Sequence, residues 1–289
     1  MTNLIWRDVA PYGPVGVPGR SRWALGELMG EVSEYFACGA RVERGDVVFD
    51  VGANVGAFAI AAAHRCEGAL ELHCFEPVPA IHGALRANTR RNPRLRPATT
   101  RLYRTAVVAN DDDGPVELSY FRRFPTDSTC DLASKRRDFE LFFAHQGARV
   151  GRALEPAVGR RAARRARRLV AAVPRGELGR WLVDTAMGRE SMRCPTTTLS
   201  SVVHERGVRR IDLLKVDVEG AELDVLLGLC ERHWRRIEQV VLEGHDHDGR
   251  LREITGLLRA RGFQTPRVAR PGGAEERGLN SFLLYACKA

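Results

Sequence analysis

The sequence predicts an α/β fold, with a mostly parallel sheet and helices packed on both of its faces. Short apolar runs alternate with stretches of helical periodicity from residue 46, and again from residue 196. Apolar residues make up 44% of the chain but aromatics only 7%, which suits Val/Leu/Ala-rich strands buried on both sides. Four of the apolar runs end in an acid, at Asp50, Glu76, Asp217 and Glu243. In open parallel sheets ligands bind beyond the carboxyl ends of the strands, so these acids converge on one candidate site. At 289 residues the chain is long enough for one large domain, or one domain with an insertion.

Taken in order, residues 1–20 are rich in Pro and Gly and read as an extended arm. Apolar residues then recur at Leu25, Leu28, Met29, Val32, Tyr35 and Phe36, the spacing of a helix with one buried face. Arm and covering helix together occupy 1–45. The run DVVFDVGANVGAFAIAA (46–62) reads as strand, Gly-bearing turn and helix. Gly52 and Gly56 let the backbone turn sharply and approach a ligand, and the helix start offers free N–H groups. A second strand, LELHCFE (70–76), leads to a helix from Pro79 to about Arg91, with Pro in the first turn. A third strand is expected at about 100–108, a tight turn at NDDDG (110–114), and a further strand at PVELSYF (115–121). The loop PTDSTCD (125–131) brings Asp127 and Ser128 within reach of a ligand at the strand ends.

Residues 132–193 break the alternation, with helix-like runs at 133–145, 158–172 and 177–187, and are read as an insertion. Regular order resumes with TTTLSSVVHERG, then the buried strand RIDLLKVD (210–217) and an amphipathic helix over 220–233. A second buried strand, IEQVVLEGH (237–245), is followed by a helix over about 249–261. FQTPRV and NSFLLYAC close the chain as a hairpin. The main domain is therefore 46–131 plus 194–289.

The glycine turn narrows the ligand. A dinucleotide fingerprint needs glycine where Asn54 stands, and a P-loop needs a Gly-Lys-Ser/Thr ending that is absent. Asp50 would repel a phosphate but suits the ammonium and sulfonium of S-adenosylmethionine, and Glu76 is placed to accept from ribose hydroxyls. The seven scattered cysteines form no C-x-x-C pair, so neither a zinc framework nor disulfides are indicated. No apolar run spans a bilayer and no signal peptide is apparent, which points to a cytoplasmic enzyme without a membrane partner. The net charge of +9 is local: residues 135–193 hold 15 Lys/Arg against six Asp/Glu, which accounts for the whole imbalance. The Arg-rich run RRAARRARRL (160–169) reads either as a solvated helix or as a lid selecting an anionic acceptor.

Several segments together resemble the FkbM-type methyltransferase family: VFDVGANVGAFAI (48–60), CFEPVPA, TAVVANDDDGPVEL (105–118), TTTLSSVV and IDLLKVDVEGAELDVLLG (211–228). The resemblance covers about 25–130 and 194–287, and the basic stretch between them departs from it. It implies a Rossmann-like class I methyltransferase with a seven-stranded, mostly parallel sheet and a C-terminal antiparallel hairpin. It implies an S-adenosylmethionine-dependent O-methyltransferase acting on a hydroxyl of a natural product or glycan. Carried over by position, Asp50, Gly52, Asn54, Gly56 and Glu76 would bind cofactor, with Ala106 and Val107 flanking the adenine; Ser128 joins the expected cofactor-binding residues from the reach of its own loop. Lys215, Asp217, Glu219 and Glu222 belong to the family's signature.

Methyl transfer to a hydroxyl needs a near-attack geometry and a base or cation to take or weaken the proton. Asp217 is the best-placed base, Glu219 lies close to it, and His245, with an ordinary pKa of about 6.5, suits the same task. Asp217, Glu243 and His245 are also a candidate Mg²⁺ set. Lys215, inside an apolar strand, requires a carboxylate partner, expected among Glu219, Glu222 and Glu243. Glu222 reads as a helix N-terminal acid favoured by the macrodipole. The alternative reading, nucleic-acid methylation through the basic insertion, lacks an aromatic ladder and the Asn/Asp-Pro-Pro-Tyr/Phe run that holds a flipped base. A homodimer is left open.

Overall fold

A computed structural model of the chain describes residues 3–19, 24–96, 98–112, 114–122, 128–146, 160–161, 188–271 and 280–288. Strands β1 (Leu4–Val9) and β2 (Gly13–Pro18) precede helix α1 (Ala24–Cys38). Then come β3 (Val47–Val51), α2 (Ala57–Arg65), β4 (Glu71–Phe75), α3 (Pro79–Arg91), β5 (Thr100–Tyr103), β6 (Ala106–Val107) and β7 (Val116–Phe121). Helix α4 spans Leu132–Gln146, and β8 (Arg189–Cys194) and β9 (Thr196–Thr197) follow. The chain continues through α5 (Leu199–Glu205), β10 (Leu213–Val216), α6 (Glu222–Leu227), α7 (Glu231–Trp234) and β11 (Gln239–His245). It ends with α8 (Arg250–Ala260), β12 (Arg267–Ala269) and β13 (Ser281–Cys287).

Seven strands form the central sheet in the order β12-β13-β11-β10-β3-β4-β5. The pairs from β5 to β11 are parallel, and β13 runs antiparallel to both β11 and β12. This is the mostly parallel, seven-stranded α/β sheet with a closing antiparallel hairpin that the sequence predicts.

The two-residue period of the strands sorts the core into two layers. Val48, Leu72, Cys74, Leu213, Val241 and Leu283 face α1, α2, α3 and the β1–β2 hairpin. Phe49, Val51, Phe75, Leu214, Val216, Val240, Leu242 and Leu284 face α5, α6 and α8. Asp50, Lys215, Asp217, Glu243 and His245 share the parity of the first layer, so at the strand tips they lie on the α1 side. That parity decides where each can act.

Local chemistry accounts for the helix starts. Pro79 opens α3. The Thr198 hydroxyl accepts from the Ser201 amide at 3.0 Å and caps α5. Asp131 accepts from the Ser134 amide at 3.0 Å and its hydroxyl at 2.7 Å, which caps α4.

Four expectations are corrected. The Pro/Gly-rich arm is a β-hairpin, held to α3 because the Asn88 side chain accepts from the Gly16 amide and donates to its carbonyl. The third strand is split: β5 ends the main sheet, and the amides of Ala106 and Val108 turn to the carbonyls of Pro195 and Thr197 beside β9. The single helix over 220–233 breaks into α6 and α7 at Gly228, where a Cβ would collide with the Val108 carbonyl oxygen. Residues 189–193, expected within the insertion, pair with β7 as strand β8. The helix-like run 133–145 is α4. Of the run 158–172 only the helical residues 160–161 are described, and 177–187 and Asp127 lie outside the described residues. Among the described residues no helix is long and apolar enough to cross a membrane.

Candidate active site

A hollow opens at the carboxyl ends of β3, β4 and β10. Its lining includes Gly52, Asn54, Glu76, Ala106, Val107 and Ser128 on one side and Asp217 and Glu219 on the other. Of the residues expected to hold cofactor, Asp50 and Gly56 stand apart from this lining.

The turn after β3 is shaped by close approach. Gly52 has φ +79°, and a Cβ there would strike the carbonyl oxygen of Asp217. The amides of Gly52 and Ala53 both donate to the Phe75 carbonyl, at 3.1 and 2.9 Å, which ties the turn to the end of β4. Asn54 follows in the left-handed region at φ 50°, which its short polar side chain tolerates. Glu76 accepts from the amides of Val78, at 2.8 Å, and Asn54. Burial pushes the Glu76 carboxyl up to about 7, against the pull of those two amides. α2 begins at Gly56 without a side-chain cap.

Asp50 is wholly buried on the α1 face, opposite Lys215 in the strand register. The Lys215 ammonium lies 3.2 Å from Asp50 and 3.4 Å from Asp217, and donates to the Gly52 carbonyl at 2.8 Å. Burial would lower the Lys215 pKa, but the two carboxylates outweigh it and hold the group charged. The expected partners Glu219, Glu222 and Glu243 are thus replaced by Asp50 and Asp217. The reason is register: a neighbour across β3 and the next same-face residue along β10 are closer than any helix acid. Glu222, fully buried at the start of α6, accepts from the Gly220 amide at 2.7 Å within its own turn.

Tyr35 of α1 lies 3.0 Å from both Asp217 Oδ2 and Glu243 Oε2. A phenol has one hydrogen, so it donates to one carboxylate, and the other acid must bring its own proton. Burial and then Asp217 push the Glu243 carboxyl up to about 8, which makes Glu243 the protonated member. Glu219, with φ 56°, pairs with Lys135 of α4 at 2.6 Å. Burial would raise its pKa, but Lys135 and His245 bring it down to about 2.

His245 lies between two carboxylates, with Nδ1 3.2 Å from Asp138 Oδ1 and Nε2 3.6 Å from Glu219 Oε2. Burial would lower its pKa, but these partners raise it to about 10. The expected Mg²⁺ set of Asp217, Glu243 and His245 is not assembled. Helix α1 claims the first two through Tyr35, and α4 claims His245 through Asp138. Among the described residues, the group of possible metal ligands within 4.8 Å of one another is Asp138, His245 and His247. Tyr35, Lys135, Asp138 and His247 were not singled out as site residues from the sequence. The run His-Asp-His-Asp at 245–248 is the one local signal that could have found His247.

A family model described as Methyltransferase FkbM domain matches residues 50–265. The chain belongs to the FkbM methyltransferase family. It is 34% identical over 229 residues to the 31-O-demethyl-FK506 methyltransferase FkbM of Streptomyces tacrolimicus, covering 79% of this chain and 76% of that protein. It is 30% identical over 228 residues to the methyltransferase sdnD of Sordaria araneosa, covering 76% and 74% of the two chains. Among solved structures, a methyltransferase FkbM from Methylobacillus flagellatus KT superposes with a TM-score of 0.44 at 13% identity, covering 86% of this chain and 45% of that one. By its family the chain is an FkbM-type methyltransferase, and its own doubly wound, mostly parallel sheet is Rossmann-like.

Proposed function

We propose that this FkbM-type enzyme moves a methyl group from S-adenosylmethionine to a hydroxyl of a natural product or glycan, within the hollow between β3 and β10. The observation that carries the reading is the single rim on which two unlike linings meet. One lining is apolar and backbone-rich, with Glu76 at the end of β4 to accept from ribose hydroxyls and Ala106 and Val107 to border the base. The other is acidic, at Asp217 and Glu219. The relative whose name gives 31-O-demethyl-FK506 as its substrate supports oxygen as the acceptor atom.

In the transfer, an acceptor oxygen forms a bond to the methyl carbon while the carbon–sulfur bond breaks and its electrons stay on sulfur. The hydroxyl proton leaves to a base. Asp217 takes that role, because it lines the hollow and is partly exposed. His245 does not, since carboxylates face both of its ring nitrogens. Asp50 then acts one step back, balancing Lys215 rather than touching the donor.

Calorimetric titration with S-adenosylmethionine tests the reading. Micromolar binding is expected, strongly weakened by Glu76→Ala and kept in Asp217→Asn, which loses methyl transfer. A folded protein that shows no heat of binding with S-adenosylmethionine or S-adenosylhomocysteine would overturn it.

A further inference from the structure

We propose that Asp138, His245 and His247 form a site for a divalent transition metal, placed against the acidic lining of the hollow. Asp138 stands on α4, whose position over the tip of β11 is fixed by the Lys135–Glu219 ion pair at 2.6 Å and the Arg137–Asp248 pair at 3.0 Å. One carboxylate oxygen, Asp138 Oδ1, faces two ring nitrogens: His245 Nδ1 at 3.2 Å and His247 Nε2 at 2.7 Å. The two imidazoles lie nearly parallel, with an interplanar angle of 9°.

Two further observations point to an ion between these atoms. His245 Nδ1 is buried and, despite its 3.2 Å approach to Asp138, makes no aligned hydrogen bond. In the ion-free protein the two carboxylates keep this ring protonated, so an ion would bind at Nδ1 by displacing its proton. The opposite nitrogen of His245 faces the Glu219 carboxylate at 3.6 Å, the outer partner that a metal-bound imidazole commonly has. Ligand atoms each about 2.1 Å from one ion lie roughly 3.0–3.4 Å apart, so the Asp138–His245 spacing already fits. The Asp138–His247 spacing needs only a few tenths of an ångström. The nearby Lys135 ammonium is balanced by Glu219, so it does not repel a cation with its full charge.

The donor set selects the ion. Two imidazole nitrogens and one carboxylate suit Zn²⁺, Fe²⁺, Mn²⁺ or Co²⁺, whereas Mg²⁺ takes oxygen ligands and keeps its waters. Three protein ligands leave positions open, as in metal sites that bind substrate. Glu219, which lines the hollow, stands at the opposite ring nitrogen of His245 from the ion, so the site lies behind the acidic lining rather than in the hollow, and it does not rest on the methyl-transfer reading.

The test is titration of the chelator-treated, dialysed protein with Co²⁺, followed by its visible d–d absorption, and with Zn²⁺ and Mn²⁺ by calorimetry. One equivalent is expected to bind, with a raised melting temperature. His247→Gln and Asp138→Asn, checked for folding by circular dichroism, are expected to bind Co²⁺ roughly a hundredfold more weakly or not at all. Absence of a one-to-one complex, or equal affinity in both folded variants, would overturn the site. Calorimetry with S-adenosylmethionine on the same samples separates the two ideas. Donor binding without metal binding removes the metal site alone, and metal binding without donor binding upholds it while removing the methyl-transfer reading.

Discussion

The two sides of the hollow are built on different physics. The side formed by β3, β4 and β6 is held by shape: a left-handed glycine, two amides on the Phe75 carbonyl, and one buried acid. The side formed by β10, β11, α1 and α4 is held by charge, with Lys215, Asp217, Glu219, Glu243, His245, Lys135 and Asp138 in contact around Tyr35 and the tip of β11. A shape-built wall fails when one atom is added. A charge-built wall fails when one member is removed and its partner is left uncompensated. Four predictions probe that contrast.

The largest effect falls on the shape-built wall. Gly52→Ala adds a Cβ where the Asp217 carbonyl already stands, in a backbone conformation that alanine avoids. The turn after β3 must then separate from β10, and the loss of stability is expected to exceed about 4 kcal/mol, a size reserved for such steric failures. Chemical denaturation of the variant measures it. A loss below about 1 kcal/mol would mean that the two strand ends are not locked together.

Second is the charge-built wall. Lys215→Met leaves Asp50 wholly buried with no cation, at a cost of about 3 kcal/mol. Adding Asp50→Asn in the same chain removes the orphaned charge and is expected to recover much of that loss. If the double variant is no more stable than the single one, the pair is not the unit described here. A double-mutant cycle by denaturation decides it.

The same contrast explains what could be read from the sequence. The shape-built wall comes from consecutive residues, so strand, glycine turn, helix and the acid of the next strand were legible in order. Sequence order alone nevertheless sets Asp50 against the donor. Its parity with Val48 and its register with Lys215 turn it to the α1 face, and parity is visible only once the layers are assigned. The charge-built wall comes from four separate segments. Tyr35 reads as one more apolar position in a helical stripe, and its hydroxyl matters only because α1 ends above β10 and β11. Asp138 and His247 are over a hundred residues apart in sequence, and nothing local announces that α4 crosses the β11 tip. Lys215 did announce a need for a partner, but spacing along one helix could not reveal a partner across a strand.

Third comes Glu76→Gln, which sets binding against stability. Losing the carboxylate weakens hydrogen bonds from ribose hydroxyls, and S-adenosylmethionine affinity is expected to fall about ten- to a hundredfold. The ligand-free protein moves the other way. The Glu76 pKa rises from 4.5 to about 7 on folding, so the stability this group contributes is fully present below 4.5 and lost as pH rises through 7. Glutamine cannot ionise, so the variant is expected to melt higher than the parent at pH 8, and the two should converge near pH 4.5. Melting curves across that range check the sign. A variant that melts lower at pH 8 would contradict a buried, raised carboxyl.

The smallest effect belongs to Tyr35→Phe, and its size tests how the charge-built wall shares protons. The phenol supplies a single hydrogen to two carboxyl groups, each 3.0 Å away. With Glu243 already protonated, Asp217 alone relies on the Tyr35 hydrogen, and Glu243 can donate back to the phenol oxygen. Removing the hydroxyl then costs one or two ordinary hydrogen bonds, about 1–2 kcal/mol at pH 7. Glu243→Gln, which keeps a donor at the same place without a charge, should cost less than Tyr35→Phe under the same conditions. If instead both acids were ionised, glutamine would relieve a repulsion and the protein would gain stability at pH 7. Denaturation of the two variants side by side distinguishes a shared proton from a pair of charges that Lys215 alone must balance.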